Sequence, residues 1–85
     1  MTKIKICGLK RERDIEYVNE FLPEFVGFVF YPKSKRYVDF EKAKSLKSKL
    51  DKNIKAVGVF VNEDIEKILF LCENDIIDII QLHGN

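Results

Sequence analysis

Lys5-Ile6-Cys7-Gly8-Leu9 is a short apolar run that ends in a cysteine and is closed at once by a glycine. Strands buried on both faces of a parallel sheet read this way, and the side chain at the C-terminal end of such a strand enters the mouth of an α/β fold, where ligands bind. A thiol there is either a packed small hydrophobe or a base or nucleophile. The wider run, Lys3 to Cys7, has three counterparts: Phe25 to Phe30, Ala56 to Val61 and Ile77 to Leu82. All are nearly continuous in β-branched and aromatic residues, as parallel strands covered on both sides require.

Between these runs the apolar spacing changes to that of helices. The first helical segment carries Ile15, Val18, Phe21 and Leu22 on one face and stops at Pro23. The second starts at Asp39, an N-cap residue type, and groups Phe40, Ala43, Leu46 and Leu50. The third follows Asn62, another N-cap residue type, and is expected to bury Ile65, Ile68, Leu69 and Cys72. The order is β-α-β-α-β-α-β, with no linker and no low-complexity run. Strand starts 22, 31 and 21 residues apart fit consecutive βα units with right-handed crossovers in one parallel sheet. Periodicity alone leaves a flavodoxin-like open sheet and part of a closed barrel equally open.

With 85 residues, 46% hydrophobic and 34% charged, the chain has a globular balance and the size of one small domain. A net charge of +1 gives no basis for a nucleic-acid partner. Lys42, Lys44, Lys47, Lys49 and Lys52 interleave with Ala43, Leu46 and Leu50 and read as a solvated helix face. Two cysteines and one histidine at these spacings make neither a disulfide framework nor a metal site. No run reaches the roughly 18 apolar residues of a membrane span, and Met-Thr-Lys does not open a signal peptide. The expectation is a cytoplasmic chain without cofactor, metal or membrane contact.

Three further segments narrow the fold: Gly27-Phe28-Val29-Phe30-Tyr31-Pro32-Lys33-Ser34-Lys35-Arg36-Tyr37-Val38, then Val57-Gly58-Val59-Phe60-Val61-Asn62, then Ile80-Gln81-Leu82-His83-Gly84. Together with Lys5 to Leu9, in this order and spacing, they resemble the N-terminal half of the phosphoribosylanthranilate isomerase family of tryptophan biosynthesis. The resemblance implies an α/β fold whose β-α-β-α-β-α-β order is the first half of a (β/α)8 TIM barrel. It implies Cys7 as catalytic base, Arg36 as the residue meeting the anthranilate end of the substrate, and His83 as a substrate-facing residue at the end of the fourth strand. Without the resemblance, Arg36 reads as a loop charge, His83 as a satisfied histidine and Gly84 as a turn. Cys72 lies on an apolar helix face with no motif around it and reads as core. Two positions depart from the family pattern: Lys10 stands where threonine is common, and Lys35 stands where proline commonly precedes the arginine. Proline would have fixed one backbone dihedral there.

The family reaction is an Amadori rearrangement of N-(5-phosphoribosyl)anthranilate to 1-(2-carboxyphenylamino)-1-deoxyribulose 5-phosphate. It needs an acid at the ring oxygen and a base for the proton on C2. A cysteine, with a pKa of about 8.5 in free peptides, can be that base when cations lower it. The family's general acid is an aspartate on a later strand, and its phosphate is held by loops after the seventh and eighth strands. A complete barrel takes about 200 residues or more. The 85 residues are therefore expected to be an incomplete domain, residues 1–85 forming an N-terminal half-barrel without isomerase turnover of its own. Its expected partners are the phosphorylated substrate in the full enzyme, and either a second copy or a complementing C-terminal half. The alternative is a non-catalytic half-barrel module that self-assembles or complements such a half.

Overall fold

The computed structural model describes residues 5–83. Its elements are β1 (Lys5–Cys7), α1 (Glu12–Phe21), β2 (Phe25–Val29), α2 (Phe40–Lys49), β3 (Lys55–Val61), α3 (Ile65–Glu73) and β4 (Ile79–His83). The expected strand residues Lys3 and Ile4 lie outside the described residues. All three strand pairs are parallel, and the sheet order is β1-β2-β3-β4. This order resolves what periodicity left open. In a doubly wound sheet the chain reverses direction across the sheet at a switch point, whereas here every strand lies beside its sequence neighbour. Successive right-handed crossovers in one direction place all the helices on one face. That is the wall of a (β/α)8 barrel, with β1 and β4 at its margins.

Strand alternation then divides the apolar residues between two faces. Val26, Phe28, Phe30, Ala56 and Phe60 form one core with Ile15 and Val18 of α1, Ala43 and Leu46 of α2, and Ile68 and Leu71 of α3. Val57 and Val59 are also buried but stand outside that core, on the opposite face of β3. Phe30 stacks on Phe60 with ring centroids 5.2 Å apart and meets Phe40 edge-on at 5.7 Å. Such aromatic pairs add about 0.5–1.5 kcal/mol beyond area burial, and this trio ties the start of α2 to the ends of β2 and β3.

Asp39 caps α2 as expected, its carboxylate accepting from Lys42 N–H at 2.7 Å. Four of the five lysines in this segment face solvent, but Lys47 reaches across to the segment just before β4. Its ammonium lies 3.3 Å from the Asp78 carboxylate and donates to the Asp75 carbonyl at 3.2 Å. The same Asp78 carboxylate accepts from Ala56 N–H at 2.8 Å, while Asp78 N–H donates to Ala56 O at 2.8 Å. This two-way pairing fixes the β3–β4 register at its N-terminal end. It also delays β4 from the expected Ile77 to Ile79.

Two helix faces differ from expectation. In α1 only Ile15 and Val18 are buried, whereas Phe21 is 77% exposed and Leu22 is exposed as well. Leu22 is the C-cap in left-handed conformation (φ 51°), so it leaves the helical row. Phe21 falls on the flank away from α2, which meets α1 through the ion pair of Lys49 with Glu12 and through Asn19 at the end of α2. In α3 the N-cap is Asp64 rather than Asn62, which takes a left-handed φ of 52°. Ile68 and Leu71 are buried and Cys72 packs against the core, but Ile65 is 64% exposed and Leu69 is exposed too. Phe70 occupies the flank toward α2, stacked on Phe40 at 6.3 Å. Ile65 and Leu69 therefore turn to the other flank, beside Ile80 and Leu82 on the helix side of β4, and no described element covers them.

Candidate active site

The parallel sheet brings the C-terminal ends of its strands to one rim. Cys7 ends β1, level with Gly27 of β2, and His83 ends β4, level with Val61 of β3. The side chains of Cys7 and His83, and all of Gly84, lie outside the described residues. Past Cys7 the chain stays attached to β2, because Gly27 O accepts from Gly8 N–H at 2.9 Å and from Leu9 N–H at 3.2 Å. Gly8 then turns with φ +86°, a region where a Cβ is strained. Leu9, buried in the core, pins the far side of the turn.

The loop after β2 folds back on itself. Ser34 N–H donates to Tyr31 O at 2.9 Å, Tyr37 N–H to Ser34 O at 3.2 Å, and Val38 N–H returns to Val29 O at 3.0 Å. Buried Val38 anchors the return. The Ser34 hydroxyl accepts from Arg36 N–H at 3.1 Å. In the sequence the only signal of Ser34 is a hydroxyl two residues ahead of the arginine, the spacing of a side-chain turn.

This loop lays the Arg36 stem across the end of β1. A Cβ built on Gly8 would lie 2.4 Å from Arg36 Cδ and 3.1 Å from Cγ, so the arginine occupies the space a side chain would need. Two of the three residues nominated from sequence thus reach adjoining backbone: Cys7 precedes the glycine that Arg36 covers. His83 stands at the same rim on the far margin of the sheet, separated from β2 by β3. Arg36 is exposed and joined at the rim by exposed Lys10, Lys33 and Lys35, a cationic border suited to an anionic ligand.

The β1–α1 loop is held from the helix side. The Asp14 carboxylate accepts from Arg11 N–H at 3.1 Å and from Lys10 N–H at 3.3 Å, with the Arg11 guanidinium 3.3 Å away. Arginine has no acceptor to return the bond, so Asp14 does the capping alone. Burial pushes the Asp14 carboxyl up, but these N–H groups and the guanidinium together outweigh it and hold its pKa below the ordinary value. Among the described residues no three His, Cys, Asp or Glu side chains gather to hold a metal, and no helix is long and apolar enough to cross a membrane.

The family model for N-(5'phosphoribosyl)anthranilate (PRA) isomerase matches residues 4–85. The N-(5'-phosphoribosyl)anthranilate isomerase of Clostridium acetobutylicum is 59% identical over the whole chain, which covers 41% of that protein. A crystal structure of phosphoribosyl anthranilate isomerase in complex with reduced 1-(o-carboxyphenylamino)-1-deoxyribulose 5-phosphate superposes with a TM-score of 0.92 at 44% identity. The match covers 100% of this chain and 44% of that one. Monomers generated from the dimeric isomerase of Thermotoga maritima superpose with a TM-score of 0.88 at 44% identity, over 99% of this chain and 42% of theirs. The chain thus spans less than half the length of the relatives it matches.

Proposed function

Because the chain belongs to the N-(5'-phosphoribosyl)anthranilate isomerase family, we propose that it supplies the proton-abstracting and anthranilate-binding half of an isomerase active site. The observation that carries this reading is the Arg36 stem packed on Gly8, directly after Cys7, at the rim where the strand ends meet.

In the proposed reaction an acid protonates the ribose ring oxygen, the C1–O bond breaks, and C1 and the anthranilate nitrogen become a protonated Schiff base. The Cys7 thiolate takes the proton from C2. The C–H electrons form a C1–C2 double bond as the C=N electrons return to nitrogen, giving an enolamine. Transfer of the C2 hydroxyl proton to C1 then yields the aminoketose. Arg36 has two roles. Its planar guanidinium pairs with the anthranilate carboxylate through two parallel hydrogen bonds, and its charge at the end of β1 favours the thiolate. His83 donates a hydrogen bond to substrate from the end of β4. The acid and the phosphate site belong, by the family resemblance, to strands and loops not present in these 85 residues. We accordingly read residues 1–85 as a half-barrel with no turnover alone, working in the cytoplasm, where the thiol stays reduced.

The test is a graft in which residues 1–85 replace the matched segment of the Clostridium acetobutylicum relative. Isomerase turnover within about tenfold of that parent, equivalent to about 1.4 kcal/mol of barrier, is the expected result. A folded graft more than about 10³-fold slower would reject the reading.

A second reading is favoured by the margins of the sheet. Among the described residues β1 and β4 are open edges, and Ile65, Leu69, Ile80 and Leu82 are uncovered along the β4 margin. Open edges and contiguous apolar surface draw in other chains. A non-catalytic module would use them to pair with a second copy, whereas the isomerase reading uses them to receive a complementing half.

A further inference from the structure

We propose that Lys10 is a positioning residue for Arg36. Its ammonium donates to the Lys35 carbonyl at 2.8 Å, across 25 residues of sequence. That carbonyl and the Arg36 N–H belong to one peptide unit, and the N–H is already bonded to the Ser34 hydroxyl at 3.1 Å. Both polar groups of the 35–36 peptide are therefore held, one by the loop itself and one by Lys10. The Lys10 end is fixed in turn, since its own N–H donates to the Asp14 carboxylate in the first turn of α1.

The two loops consequently touch twice: Arg36 lies on Gly8, and Lys10 bonds the carbonyl just before Arg36. One contact would leave the Arg36 loop free to pivot, and two define its orientation over the end of β1. No proline at position 35 fixes that residue's φ, so the orientation of the 35–36 peptide depends on hydrogen bonds. An ammonium on a carbonyl is charge-assisted and stronger than a neutral pair. The inference rests on the reading of Arg36 as the group that meets the substrate carboxylate. Orienting that guanidinium is worth most in binding, so its loss shows in KM before kcat.

The test compares Lys10→Met, which keeps the stem and removes the donor, with Lys10→Arg, which keeps donors. In the 85-residue chain, amide hydrogen exchange at Arg36 and Tyr37 is followed by NMR. In the grafted enzyme, KM and kcat are measured. Lys10→Met is expected to speed Arg36 exchange about tenfold, the scale of one charge-assisted bond. It is also expected to raise KM about five- to tenfold with kcat within about twofold. Lys10→Arg should recover most of both. A Lys10 that merely attracted the anionic substrate would move KM and leave the Arg36 amide unchanged, and that result overturns the proposal. So does an unchanged KM, a fall in kcat alone, or failure of the arginine variant to rescue. A wild-type graft without turnover would reject the isomerase reading, while the exchange measurement would still decide whether Lys10 orders the loop.

Discussion

Cys7→Ser in the grafted enzyme is expected to lower kcat by at least about 10²-fold, the lower range for loss of a general base. The fold and substrate binding should survive. The two side chains differ by one atom and occupy nearly the same space, so the change isolates acidity. A thiol near 8.5 can be brought to the thiolate by a neighbouring guanidinium, whereas a serine hydroxyl stays protonated throughout the working range of a protein. Arg36 can supply that help because its stem crosses the residue next to Cys7. Single-turnover kinetics on saturating substrate separate the proton-transfer step from binding. Turnover by Cys7→Ser within about tenfold of wild type would remove Cys7 as the base.

Gly8→Ala should be nearly as damaging, by a different route. The new methyl would enter a backbone with φ +86° and meet Arg36 Cδ at 2.4 Å. The backbone strain costs about 1–2 kcal/mol, which lowers the melting temperature by roughly 4–8 °C per kcal/mol in a domain this small. The steric conflict is relieved differently, because the Arg36 stem is exposed and free to swing away. A displacement of about 1 Å in a substrate-orienting group can cost about 10²-fold, so kcat/KM in the graft is expected to fall by that order. Arg36→Lys on the Gly8→Ala background should then cost little more, since the guanidinium is already out of place. An additive second loss would show that Arg36 keeps its position despite the methyl.

The strands and helices were legible because each follows a local rule. Continuous apolar runs mark strands covered on both faces, and Asp39 marks the start of α2. Periodicity does not show strand order, since no local pattern says which strands are neighbours; the family resemblance implies it, and the unbroken β1-β2-β3-β4 order agrees. Helical spacing also finds an apolar stripe without saying which neighbour covers each part. Ile65 and Leu69 fell on the right stripe of α3, but the sheet covers only the part carrying Ile68 and Leu71. Asn62 and Asp64 are both good N-cap residues two positions apart, and only the backbone, left-handed at Asn62, decides between them. At the rim, Cys7, Arg36 and His83 were nominated by motif. Lys10, noticed only as a departure from the family pattern, bonds the carbonyl of Lys35, the other departure. A side chain meeting a backbone acceptor 25 residues away leaves no periodic trace.

The most direct measurement is a coupled isomerase assay on the purified 85-residue chain, alone and mixed with the separately expressed remainder of the Clostridium acetobutylicum relative. Under the proposed division of the site, the chain gives no turnover alone and regains it on mixing, with Cys7→Ser abolishing the gain. Turnover by the chain alone, or a folded mixed complex that stays inactive, would contradict that division of the site.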